Sequence, residues 1–96
     1  MYSVEDIRRI VSPIADKYGV ERMYLFGSYA RGDNTSDSDV DLRVDRGRVR
    51  GMQMAFLLSE LEDALHLPVD LLSTSVLDNQ FLRSIHGEER LLYERS

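Results

Sequence analysis

The stretch that decides the predicted fold reads GSYARG at residues 27–32 and, after a polar loop, SDVDL at residues 38–42. Just before it, residues 23–26 form a short apolar run that ends at a glycine, which predicts a buried strand. Residues 39–45 alternate between charged and apolar side chains, which is the period of a strand with one buried face. A Gly-Ser pair after a buried strand lets the backbone approach a ligand closely. The sequence therefore predicts two strands joined by a loop that can face an anion.

Two aspartates in the second of these strands suggest a site for divalent cations. Asp39 and Asp41 are two residues apart, so their carboxylates point to the same face of a strand. Two such charges repel each other unless a cation compensates them, and Mg²⁺ prefers one or two carboxylates together with water and substrate phosphates. Asp70 is a polar residue between Val69 and Leu71 in a later apolar strand. We expect Asp70 to complete the metal site and to help activate an acceptor hydroxyl.

The rest of the chain predicts a small α+β fold. The predicted elements are a helix over residues 3–19 that Pro13 bends or shortens, a helix over residues 52–66, a strand over residues 69–72, a helix over residues 75–86 and an edge strand over residues 91–93. Ser3 and Asp6 form the expected cap of the first helix. This order predicts one domain over residues 1–96, with a small mixed sheet and helices packed on one side.

Composition narrows the functional classes. The net charge of −5 argues against stand-alone nucleic-acid binding, because such binding relies on Lys and Arg to neutralise phosphates. The chain has no cysteine, which excludes disulfides and thiolate metal sites. No apolar run approaches the length of about 20 residues that a membrane span needs. We therefore expect a cytoplasmic protein that does not contact membranes.

A calcium loop and a solvated strand face are two simpler interpretations of the aspartates. A calcium loop that starts at Asp37 would need glycine at its sixth position and glutamate at its twelfth, but Leu42 and Arg48 stand there. Alternating charge also commonly lines a solvated strand face. Asp39 and Asp41 alone favour that interpretation, whereas the Gly-Ser pair upstream and the acidic residue downstream favour a catalytic site.

This compound motif resembles the DNA polymerase β-type nucleotidyltransferase superfamily, specifically its minimal nucleotidyltransferase (MNT) branch. The matching residues are Gly27, Ser28, Ala30, Arg31, Gly32, Ser38, Asp39, Asp41 and Asp70. The resemblance implies that Gly27 and Ser28 contact the terminal phosphates of a nucleotide. It also implies that Asp39 and Asp41 hold two Mg²⁺ ions and that Asp70 binds the ion nearer the acceptor.

Two arginines are further candidates for nucleotide binding. The resemblance implies this role for Arg31, which belongs to the matching motif. Relatives often carry Arg or another polar residue at the position of Tyr29, and the loss of a cation there would remove a triphosphate contact but not the metal site. Arg43 shares the strand face of Asp39 and Asp41, and we predict that it supplies the missing phosphate contact.

The resemblance also implies a partner. MNT proteins typically pair with a helical HEPN-domain protein in a toxin–antitoxin module, in which the MNT member is the antitoxin. The implied reaction is AMP transfer from ATP to a hydroxyl of the toxin, a tyrosine. Two alternatives stay open: an antitoxin that neutralises its partner by binding alone, and a nucleotidyltransferase for small molecules. The sequence leaves open the preferred nucleotide and whether the chain forms a homo- or hetero-oligomer.

Overall fold

The computed structural model describes residues 2–96. Its helices are α1 (Val4–Tyr18), α2 (Gly27–Arg31), α3 (Gln53–Leu65) and α4 (Asn79–His86). Its strands are β1 (Arg22–Phe26), β2 (Val40–Asp45), β3 (Val69–Ser73) and β4 (Arg90–Glu94), and a 3₁₀ turn covers Thr74–Val76. Within residues 2–96, no helix has the length and apolar character that a membrane crossing requires.

The four strands form one mixed sheet in the order β3-β2-β1-β4. The inner strand β1 is antiparallel to both of its neighbours, β2 and β4, whereas β2 and β3 are parallel. A parallel pair needs a long crossover connection, and α3 supplies it between β2 and β3. The predicted α+β class with a small mixed sheet is therefore confirmed.

The hydrophobic core lies between α1, α3 and one face of the sheet. Side chains of β2 alternate strictly, with every second residue completely buried. The core residues that α1, α3 and β2 contribute without any exposed surface are Ile7, Val11, Ala15, Leu57, Leu61, Leu65, Val40, Leu42 and Val44. The polar residues of β2 consequently lie on the face of the sheet that α1 and α3 leave open.

The first helix begins with the predicted capping box. The Ser3 hydroxyl accepts a hydrogen bond from the backbone N–H of Asp6 at 3.1 Å, and the Asp6 carboxylate accepts one from the N–H of Ser3 at 3.0 Å. The helix ends before Gly19, whose φ of 78° suits the left-handed end of a helix. Pro13 lies inside the helix and does not shorten it, because Pro13 and Arg9 both lie on the exposed side. Water can therefore reach the Arg9 carbonyl that lacks a helical partner.

The helix predicted over residues 75–86 was wrong at its start. Thr74–Val76 forms a 3₁₀ turn, and Leu77 is extended, so α4 begins only at Asn79. Asp78 is the N-cap, and its carboxylate accepts a hydrogen bond from the backbone N–H of Phe81 at 2.8 Å. This side-chain acceptor satisfies one of the free donors at the helix start, which fixes the boundary there.

Candidate functional site

Two of the predicted acidic residues lie side by side on the open face of the sheet. In the parallel pairing of β2 with β3, Asp41 is in register with Asp70. Strand alternation places Asp41 opposite the buried face of β2. Asp39 is exposed and directly precedes the first residue of β2. The parallel register therefore joins the two aspartates that the sequence places 29 positions apart.

The Gly-Ser turn lies directly against one of these carboxylates. Gly27 has a φ of +74°, a backbone conformation that residues with a Cβ rarely adopt. A Cβ built at this position would lie only 2.1 Å from Oδ2 of Asp41. Glycine is therefore required at position 27 for two reasons: the positive φ and the closeness of the Asp41 carboxylate. The two parts of the motif, GSYARG and SDVDL, meet at this contact.

Negative charge at this site is poorly compensated. Burial raises the pKa of Asp41 to about 6, and the charges of Asp70 and Asp39 add to the rise. Arg31 opposes this pKa rise and Glu88 adds to it. Among the ion pairs formed within residues 2–96, none includes a predicted metal-binding aspartate. The site consequently favours a cation.

The residues present suit a magnesium ion that arrives with a phosphate substrate. Within the described residues 2–96, no three His, Cys, Asp or Glu side chains are arranged so that they could hold one metal ion. The aligned pair Asp41 and Asp70 offers two carboxylates, and Asp39 lies close enough to influence the charge state of Asp41. Mg²⁺ usually takes one or two carboxylates and completes its shell with water and substrate phosphates. The donor set therefore fits Mg²⁺ better than a metal enclosed by protein ligands alone.

The turn between α4 and β4 supplies a residue that the sequence did not indicate. Oε2 of Glu88 accepts a hydrogen bond from the backbone N–H of Gly27 at 2.5 Å. Nη1 of Arg31 donates to both carboxylate oxygens of Glu88, at 3.1 and 3.2 Å. Nε of Arg31 donates to Asp33 at 3.2 Å. Two of the predicted phosphate-binding residues, Gly27 and Arg31, are thus joined through one carboxylate.

The other candidate arginine has partners within the chain. Arg43 forms a two-point ion pair with Glu89, with N–O distances of 2.6 and 3.0 Å, and donates to the Thr74 hydroxyl at 2.8 Å. Its guanidinium also lies 4.1 Å from the centre of the Tyr24 ring, within the range of a cation–π contact. These contacts hold Arg43 against the sheet. Its predicted phosphate contact therefore stays a prediction, and the geometry favours a structural role.

A surface cavity of about 690 Å³ is lined by other residues than the three predicted metal-binding aspartates. It is lined by the start of α1, by Tyr29 of α2 and by His66 at the end of α3. None of Asp39, Asp41 and Asp70 lines it. We place the functional site at the aspartates, because the charges and the close packing of the motif occur there.

Comparison with protein families decides the affiliation. A family model described as "Polymerase beta, Nucleotidyltransferase" matches residues 9–96. This chain belongs to the polymerase beta nucleotidyltransferase family. The predicted resemblance is thereby confirmed, and the matched segment contains the whole Gly-Ser turn and all three aspartates.

Individual nucleotidyltransferases extend the comparison. Protein adenylyltransferase MntA of Thermococcus cleftensis is 33% identical over 93 residues, which cover 92% of this chain and 94% of the relative. A crystal structure of a toxin–antitoxin with AMP-PNP is similar with a TM-score of 0.78 at 21% identity, covering 93% of this chain and 74% of that one. A complex of tri-AMPylated Shewanella oneidensis HEPN toxin with MNT antitoxin gives a TM-score of 0.72 at 18% identity, covering 96% and 73%. At these identities the structural likenesses show a shared fold.

Proposed function

We propose that this nucleotidyltransferase is a protein adenylyltransferase that moves AMP from ATP to a tyrosine hydroxyl of a HEPN-domain toxin and thereby acts as its antitoxin. The name of the Thermococcus relative, which matches almost the full chain, supports the transfer of AMP to a protein. The Shewanella complex, which contains an AMPylated HEPN toxin, supports the class of acceptor. The structure with AMP-PNP supports an adenine nucleotide as the donor.

One observation carries the proposal: the backbone of Gly27 packs against the carboxylate of Asp41, which is itself in register with Asp70. If Asp41 only lined a solvated strand face, its carboxylate would not require a glycine in a separate turn. The contact places two features side by side. One is a backbone turn that can approach phosphates closely, and the other is a pair of carboxylates that can hold a cation. Phosphoryl transfer needs both of these in one place, because its catalysis consists mostly of positioning and charge stabilisation.

The residues divide the work as follows. Gly27, Ser28 and Arg31 bind the phosphates of ATP, and Asp39, Asp41 and Asp70 are the residues that would hold the two Mg²⁺ ions. When bound, Mg²⁺ neutralises charge on the phosphate oxygens and lowers the pKa of a hydroxyl near it.

In the reaction, the acceptor oxygen forms a bond to the α-phosphorus. The bond from that phosphorus to the bridging oxygen breaks, and pyrophosphate leaves with its electron pair. We assign to Asp70 the uptake of the proton that the acceptor hydroxyl loses, because it is exposed beside Asp41.

Intact-mass spectrometry of a HEPN-domain protein from the same genome tests the proposal. The protein would be incubated with this chain, Mg²⁺ and each NTP in turn. We expect mass increases of one or more AMP units with ATP, and none with Asp39→Asn or Asp41→Asn. Asp37→Asn is the matched control, because it removes the same charge from an exposed loop nearby and should keep activity.

The possible results separate catalysis from binding. Full transfer by both Asp39→Asn and Asp41→Asn would contradict the assigned roles. A stable complex without any mass increase would instead identify an antitoxin that neutralises the toxin by binding. Modification of a small hydroxyl compound in place of the protein would indicate a different acceptor class.

A further inference from the structure

The carboxylate of Glu88 occupies hydrogen-bond donors that the proposed reaction needs for phosphate. It accepts from the backbone N–H of Gly27 at 2.5 Å and from Nη1 of Arg31 at 3.1 and 3.2 Å. Its side chain is 22% exposed, so it lies mostly inside the protein surface. Glu88 is thus an anion of the chain itself that sits in the phosphate-binding part of the site.

The neighbouring residue fixes Glu88 in this place. Glu89 forms the two-point ion pair with Arg43, and their side chains are only 9% and 11% exposed. Thr74 accepts from Arg43 and donates to the carbonyl of Val44, which ties the pair to the end of β2. The backbone N–H groups of both glutamates also donate to the carbonyl of Ile85 at the end of α4. These contacts fix the backbone of the turn, so phosphate can displace only the side chain of Glu88.

A phosphate group and this carboxylate compete for the same donors. Gly27 has one backbone N–H, which points at Glu88. The guanidinium of Arg31 is shared between Glu88 and Asp33. Both anions are acceptors only, so neither can donate to the other, and their charges repel.

We propose that Glu88 is a resident anion in the nucleotide site, which the terminal phosphates of ATP displace, and that it thereby determines nucleotide affinity. This inference rests on the proposed function. The form of the site with its donors free is a minor state, and apparent affinity falls in proportion to the population of that state. A charge-assisted hydrogen bond to this carboxylate corresponds to about a tenfold change in Kd.

Calorimetric titration with ATP and Mg²⁺ tests the inference on the full chain. We expect Glu88→Ala to bind ATP about tenfold more tightly than the unaltered chain. Glu88→Gln should give a smaller gain, because its amide oxygen can still accept from Gly27 but carries no charge for Arg31. Glu94→Gln is the matched control, since it removes one negative charge from an exposed ion pair with Arg22 and should leave Kd unchanged.

Inorganic tripolyphosphate serves as a second probe, and it should show the same gain because the effect arises at the phosphates. Thermal melts establish that each variant is folded. Unchanged or weaker ATP binding by folded Glu88→Ala and Glu88→Gln would overturn the inference and assign Glu88 a positioning role only. Absence of ATP binding in the unaltered chain and in every variant would instead overturn the proposed function itself.

Discussion

Replacement of Asp41 by asparagine should stabilise the fold while it abolishes AMP transfer. Burial and the neighbouring carboxylates raise the pKa of Asp41 from 3.8 to about 6. One pKa unit corresponds to 1.36 kcal/mol, so the full shift amounts to about 3 kcal/mol. Because Asp41 is only partly buried, we halve this figure and expect about 1.5 kcal/mol at pH 8. For a domain of this size, that change raises Tm by about 8 °C.

The pH dependence of the stabilisation shows whether it arises from the charge of Asp41 or from a change in packing. A carboxyl whose pKa is raised in the folded state binds its proton more tightly there, so its contribution to stability is complete below pH 3.8. That contribution is lost as the pH rises through about 6. The gain from Asp41→Asn should therefore be largest at pH 8 and fall below half at pH 4.5, as followed by circular dichroism.

Asp37→Asn controls for the loss of one negative charge and should change stability by less than about 0.5 kcal/mol. A variant Asp41→Asn that is no more stable than the unaltered chain at pH 8 would refute the reasoning. A stabilisation of equal size at pH 4.5 would refute it as well.

Three further substitutions test other contacts by thermal melting. Gly27→Ala should cost at least about 1 kcal/mol and remove transfer activity, because its Cβ would clash with Asp41; unchanged activity would contradict the packing. Arg43→Ala should cost about 3 kcal/mol because it leaves Glu89 buried without its partner, and the loss should shrink in the double variant with Glu89→Gln. An equal loss in the double variant would argue against the ion pair. Ser3→Ala should cost about 1 kcal/mol through loss of the capping box, and a change near zero would mean that the cap adds nothing.

Local signals in the sequence account for most of the fold. The cap formed by Ser3 and Asp6 and the alternation along β2 were predicted from spacing alone, because each depends on residues close together in the chain. The start of α4 was missed for a local reason as well. The predicted helix includes Leu77, whereas this residue is extended and Asp78 caps a helix that begins at Asn79. A side-chain acceptor three residues before Phe81 was the signal that could have placed the boundary.

The candidate site was predictable in its residue types but not in its contacts. Asp41 and Asp70 stood out because each is polar within an apolar strand, and the parallel register then brought them together. Glu88 lies 61 positions from Gly27, in a turn without periodicity, so no local pattern links the two. The same holds for Glu89 and Arg43, which are 46 positions apart. These pairings depend on the path of the whole chain, so the sequence could not show that Arg43 pairs with Glu89.

The place of β4 in the sheet has a consequence for biosynthesis. The inner strand β1 has β4 as its second neighbour, and β4 covers Arg90–Glu94. On the ribosome, β1 therefore keeps one row of unpaired backbone groups until residues 90–94 have emerged. Such an edge is a template for pairing with another nascent chain. The turn that contains Glu88 and Glu89 is synthesised just before β4, so the complete sheet and the complete site both depend on residues 88–94.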